Sequence, residues 1–188
     1  MTVLEEALFV ASLFKDNKVV LYPTDTIWGI GANIHDLHGI ERINDMKSRS
    51  SNKSFILLVD SIEMLKKYVI RIHPRIETML SYHVQPVSIV YPRTTNIPDY
   101  LLAPDKSVAI RICNSFFCQE IIKAVGHPII SSSANFGGKK SPSNFSEIDP
   151  ELIPLVDYVC KFGQDDLSIN TPSVLAKYDE DGELIFLR

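Results

Sequence analysis

The run FILLV, residues 55–59, is apolar from end to end. It is too short for a helix buried on every side and too uniformly apolar for a strand with one wet face. It therefore predicts an interior strand, and an interior strand needs neighbours on both edges. The chain supplies candidates: KVVLYP (18–23), PVSIVYP (86–92), SVAIRI (107–112) and PIISSS (128–133) are apolar runs bounded by proline, glycine or polar residues. Three shorter strand-like runs follow, YVCKF (158–162), PSVLAKY (172–178) and ELIFLR (183–188), the last two joined across DEDG.

Helical spacing fills the gaps. Leu4, Leu8, Ala11 and Phe14 predict a helix over 3–15, and Ile40, Ile43 and Met46 put one apolar face on a helix over 37–47. Asp60 and Glu63 form an N-cap pair for a helix over 61–68. Another helix begins near Pro74, and Asn114 caps one that Gly126 should end. Strands and helices mix without strict alternation. The expected fold is α/β in the broad sense (α+β), a single domain over 1–188 with a twisted mixed sheet flanked by helices.

Composition narrows the function classes. Of 188 residues, 45% are hydrophobic and 22% charged, the profile of a globular protein with an adequate core. No apolar run is long enough to span a membrane and the N-terminus lacks a signal pattern, so the expected location is cytoplasmic, with no membrane partner. The net charge of −4 argues against broad nucleic-acid binding driven by phosphate neutralisation, while leaving room for a local basic site. Cys113, Cys118 and Cys160 form no CxxC pair and read as reduced, buried thiols. The five histidines read as surface or packing residues, and no metal-ligand set is predicted.

Four places are too polar for plain connections. In PTDTIWGIGA (23–32), Thr24 and Thr26 follow a strand, and Gly29 and Gly31 let backbone approach a ligand; a turn with two capping threonines is the bland alternative. KSRSSNK (47–53) sets Lys47, Arg49 and Lys53 at a helix end, as a phosphate or carboxylate clamp or as a solvated cap. SSSANFGGKKSP (131–142) carries hydroxyls, Asn135 and two glycines, a set able to wrap phosphates, or a glycine turn; the Walker spacing is absent. Arg111 sits inside an apolar strand, where a guanidinium needs a partner: a distant acidic side chain or a substrate carboxylate. No nucleophile–base arrangement or paired-carboxylate site is suggested, so the chemistry looks like charge clamping.

In order along the chain, these segments resemble the YrdC family, the threonylcarbamoyl-AMP synthases. The family pattern is a PTDT-[IV]-[YFW]-G-[LI]-G opening, a KxR motif, a VAxRxP strand and an SxSAN-x-SG-xx-SP loop. Here these are Pro23–Gly31, Lys47-Ser48-Arg49, VAIRI and Ser131–Pro142. The resemblance implies a YrdC-like fold with a deep, positively charged cavity. It implies a nucleotidyltransferase that makes threonylcarbamoyl-AMP and pyrophosphate from L-threonine, bicarbonate and ATP. Partner proteins then use the product to form N6-threonylcarbamoyladenosine in tRNA. Mg²⁺ is expected on the phosphates, held mostly through water and phosphate oxygens.

By residue matching, Lys47, Arg49, Ser133 and Asn135 fall on the family's KxR/SxN tetrad around the nucleotide phosphates. Thr26, Arg111 and Ser131 fall where threonine is held, with Thr171 and Ser173 at the family's STV position. Lys53, Ser107, Ser141 and Arg188 fall near ATP-contacting positions. The chain departs from the pattern at Ser50, where proline usually follows KxR, and at Lys53-Ser54-Phe55 in place of KPL or NPL. It departs again at Leu58 for a histidine, Gly137-Gly138 for SG, and Pro172-Ser173-Val174 for STV. The further C-terminal domain of the family's longer branch is not expected. Two alternatives stand beside this reading: a family paralogue with altered activity, and a double-stranded RNA-binding protein that contacts RNA directly without catalysis.

Overall fold

A computed structural model describes residues 1–48, 55–82, 85–179 and 181–187. The strands are β1 (Val20–Tyr22), β2 (Gly29–Asn33), β3 (Ile56–Val59), β4 (Val87–Tyr91), β5 (Val108–Ile112), β6 (Ile129–Ser133), β7 (Tyr158–Val159), β8 (Val174–Tyr178) and β9 (Leu184–Phe186). The helices are α1 (Val3–Lys15), α2 (Leu37–Met46), α3 (Ile62–Tyr68), α4 (Pro74–Tyr82) and α5 (Phe116–Val125). All the strands join one mixed sheet, in the order β7-β1-β2-β6-β3-β5-β4-β8-β9. FILLV is interior as expected: β3 runs parallel to β5 and antiparallel to β6, and Leu57, Leu58 and Val59 are fully buried.

Local chemistry explains most element ends; two caps and the buried stripe of α1 differ from the sequence expectations. α1 opens with a capping box in which Thr2 Oγ1 accepts from the Glu5 N–H and Glu5 Oε2 accepts from the Thr2 N–H. Its buried stripe is Ala7, Val10, Ala11 and Phe14, while Leu4 and Leu8 are exposed. The 7, 10, 11, 14 spacing is the better helical stripe, and it brings Glu6 inside. Glu6 is satisfied there by Tyr158 Oη at 2.9 Å and by the N–H groups of Lys161 and Phe162 at 2.6 and 2.9 Å.

The cap of α3 is Ser61, whose Oγ accepts from the Met64 N–H; Asp60 instead accepts from the Ser61 hydroxyl. The N-cap of α5 is Ser115, which makes no side-chain cap hydrogen bond, and the N–H of the preceding Asn114 donates to Asp25 Oδ2. Gly126 ends α5 at φ +89°, as its left-handed conformation favours.

The second half of PTDTIWGIGA is strand, with Gly29 and Gly31 on β2 paired to Tyr22 and Val20. Glycine weakens strand propensity, but here a side chain has no room. A Cβ on Gly31 would sit 2.8 Å from the Ile130 carbonyl oxygen and against the Tyr22 ring. Gly31 thus serves sheet packing, and Gly29 alone of the two reaches a cavity wall.

Candidate active site

The strands converge around a cavity of about 450 Å³. Its wall draws on the turn after β1 (Thr24, Thr26), the end of β6 (Ser131–Ser133), β5 (Ala109, Arg111) and the approach to β8 (Pro172, Ser173). Apolar area comes from Ile27, Trp28, Phe55 and Leu175. The volume lies within the range that encloses a small organic ligand.

Arg111 is 4% exposed and faces this cavity. Its Nη1 donates to Thr26 Oγ1 at 2.9 Å, and its Nη2 donates to Thr24 Oγ1 at 3.4 Å and lies 3.0 Å from Asp25 Oδ1. Nε meets no acceptor among the described residues. The guanidinium is therefore anchored within the chain at both Nη atoms and retains a donor for a ligand. Of the two partners considered from sequence, the acidic side chain is present: Asp25 holds one edge of the guanidinium.

Lys47, at the C-cap of α2, is 2% exposed. Its ammonium donates to the carbonyl oxygens of Ser133 and Asn135, to Asn135 Oδ1 at 2.8 Å and to Ser133 Oγ at 3.3 Å. Ser133 Oγ donates to Asn135 Oδ1 at 2.5 Å, and Asn135 Nδ2 donates to the carbonyls of Phe136 and Lys139. Three of the four tetrad positions thus form one cluster at the end of β6, and Ser133 is the member on the cavity wall. Gly137 lets this loop close, since a Cβ there would fall on the Lys47 carbonyl oxygen.

The remaining candidates divide. Ser107, Ser131, Ser141 and Ser173 line the cavity with Thr26. Ser107 donates to Asp105 Oδ1 at 2.6 Å, and these bonds hold the Asp105 carboxyl below its usual range. Ser173 Oγ lies 2.8 Å from Ser88 Oγ in a buried pair. Thr171 is exposed and does not line the wall. Arg49, Lys53 and Arg188, together with the departures at Ser50 and Ser54, lie outside the described residues. Leu58 is fully buried, pairs in register with Arg111 and is not itself part of the wall.

Asp25 was not singled out from sequence. The signal was available, because a buried arginine requires a carboxylate, and Asp25 stands in the same quoted motif as Thr24 and Thr26. Beneath the site, Cys118 Sγ donates to the Pro23 carbonyl at 3.3 Å. A hydrogen bond with Cys113 and complete burial push the Cys118 thiol well up, which keeps it protonated and inert. Cys113, Cys118 and Cys160 are all buried free thiols, as expected.

Among the described residues no three acidic, histidine or cysteine side chains converge into a metal-binding group. The wall is rich instead in hydroxyls, which suits a metal ion that arrives on phosphates and keeps its own water. No described helix is long and apolar enough to cross a membrane.

Comparisons with known proteins bear on the fold and the family. A threonylcarbamoyl-AMP synthase of Klebsiella pneumoniae is 28% identical over 159 residues, covering 81% of this chain and 84% of that protein. The crystal structure of P. abyssi Sua5 complexed with L-threonine superimposes with a TM-score of 0.81 at 24% identity. It covers 97% of this chain, which spans about half of that longer one (53%). The crystal structure of E. coli YciO superimposes with a TM-score of 0.85 at 20% identity, covering 98% of this chain and 89% of that one. These structures share the fold. The sequence model of the Sua5/YciO/YrdC family, described as telomere recombination, matches residues 12–188, and the chain belongs to that family.

Proposed function

We propose that this cavity joins L-threonine, bicarbonate and ATP into threonylcarbamoyl-AMP, releasing pyrophosphate. The observation that carries the reading is the division of labour across one cavity. A buried guanidinium with a spare donor stands on β5, and a buried ammonium stands behind the hydroxyl- and amide-rich end of β6. The first suits an amino-acid carboxylate and the second suits phosphate oxygens.

Carbamate formed from the threonine amine and bicarbonate is short-lived and must meet ATP at once. The carbamate oxygen attacks the α-phosphorus, the bond to the β-phosphate oxygen breaks, and pyrophosphate leaves. Holding both reactants in one cavity supplies the orientation this step needs. Lys47, with the polar end of β6, stabilises charge that grows on the phosphates. Magnesium would enter with the ATP phosphates and add to that stabilisation. Trp28, Phe55 and Leu175 offer apolar wall to the adenine. The product is an activated carbamoyl group of the kind that partner proteins can transfer to a tRNA adenosine.

The test is incubation with ATP, bicarbonate and L-threonine, followed by detection of pyrophosphate and the carbamoyl-adenylate. Pyrophosphate that depends on both threonine and bicarbonate is the expected result. Turnover with another amino acid in place of threonine would identify a paralogue of altered activity. Salt-sensitive retention of double-stranded RNA with no ATP turnover would replace the reading with a binding module.

A further inference from the structure

We propose that Asp25 is a positioning residue that aims the Arg111 guanidinium at the substrate carboxylate, an inference that rests on the function proposed above. Arg111 lines the main cavity and Asp25 does not. Asp25 lies behind it, on the wall of a second cavity of about 460 Å³ bounded by the other side of the same Thr24–Trp28 segment. Its side chain is 7% exposed. Oδ1 reaches Arg111 Nη2 at 3.0 Å and accepts from Cys113 Sγ at 3.2 Å, while Oδ2 accepts from the Asn114 N–H at 3.0 Å. One carboxylate thus clasps the end of β5 to the turn that follows β1.

Two consequences follow for a ligand in the main cavity. An arginine side chain has many rotamers, but a guanidinium tied to Asp25 at Nη2 and to Thr26 at Nη1 has its plane set before substrate arrives. Nε, buried with the rest of the side chain, meets no acceptor among the described residues, so the guanidinium keeps donor capacity beyond its bonds to Asp25 and the two threonines. The Arg111–Asp25 pair also carries no net charge. It holds a carboxylate through directed hydrogen bonds and offers little to a multiply charged phosphate, which is left to the Lys47 end of the cavity. Asp25 therefore separates amino-acid recognition from phosphate recognition.

The test uses Asp25→Asn and Asp25→Glu, with pyrophosphate release for turnover and calorimetry for threonine binding. Asp25→Asn keeps an acceptor for the Asn114 N–H and loses the ion pair; threonine KM and Kd should rise roughly tenfold or more, the weight of a hydrogen bond to a charged group. ATP KM should move little, and inorganic phosphate should become a competitive inhibitor against threonine. Asp25→Glu keeps the charge but displaces it, so threonine binding should weaken there too, which covers the case in which the asparagine variant folds poorly. A purely structural Asp25 would lower the active fraction, and hence kcat, at unchanged threonine KM.

Because Asp25 acts through Arg111, adding Asp25→Asn to Arg111→Met should cost no further threonine affinity. Unchanged threonine affinity in both Asp25 variants, or additive losses in the double variant, overturns the proposal. Wild-type protein that binds threonine but releases no pyrophosphate would overturn the function proposed above, while the binding titrations still decide the role of Asp25. Wild-type protein that binds no threonine would overturn both.

Discussion

Lys47 Nζ stands 2.8 Å from Asn135 Oδ1, so one buried ammonium closes the end of α2 onto the loop that leaves β6. The same ammonium reaches the carbonyl oxygens of Ser133 and Asn135. Lys47→Ala therefore has two expected outcomes. Pyrophosphate release is abolished, because charge growing on the phosphates loses its cation. Stability also falls by about 1–3 kcal/mol, because buried acceptors lose their donor. Urea unfolding measured beside turnover checks both; near-normal turnover would remove Lys47 from the phosphate site.

Gly137 tests the same closure from the backbone side. With the Lys47 carbonyl oxygen where its Cβ would be, Gly137→Ala must push the loop away from α2. ATP affinity should drop, by about 1–2 kcal/mol if a single charged hydrogen bond is misplaced, with threonine affinity nearly unchanged. Calorimetric titration with each ligand separates the two.

Arg111→Met leaves Asp25 buried beside an apolar side chain. Breaking a buried pair on one side costs about 3–5 kcal/mol, so this variant should melt well below the wild type as well as lose threonine binding. Replacing Asp25 by Asn in the same chain should recover part of the melting temperature, as thermal unfolding of the two variants will show. No recovery would mean that the pair contributes little to stability.

His127 sets an acid-side dependence. Burial, first, and the charges of His35 and Lys15 hold its imidazole below the ordinary value of 6.5, against the Pro128 carbonyl that favours its protonation. A group whose folded pKa is depressed contributes stability above its unfolded pKa, and that contribution is lost as pH falls through the folded one. Urea midpoints should therefore decline from pH 6.5 downward, before the carboxylates titrate. His127→Asn should flatten this decline; an unchanged slope would assign it to other groups.

What could be read from sequence follows the range of each interaction. FILLV announced an interior strand because its own five side chains carry the signal. Gly126 announced a helix end for the same local reason. Leu4 and Leu8 misled, because a helix with two plausible apolar stripes is settled by what it packs on. Glu6 goes inside only because donors from residues 158–162 meet it. Asn114 is a good cap by type, yet the helix starts one residue later, with Ser115 in the cap position and the Asn114 N–H turned to Asp25. The order of motifs carried the family, whereas the partner of Arg111 had to wait for tertiary structure. Thr171 matched a motif position and still faces solvent.

The carboxylate of Glu6 has a consequence for how the protein is made. Its donors lie 152 to 156 residues further along the chain, and β7, in the same segment, pairs directly with β1. Until that segment has been synthesised, α1 carries an acid on its inward side that has nothing to bind, and the β1 edge stays open. Contacts so distant in sequence close slowly, because the intervening chain must be ordered first. The nascent chain therefore cannot close this edge of its sheet until residues 158–162 have emerged, and until then the open strand edge is exposed to chaperones.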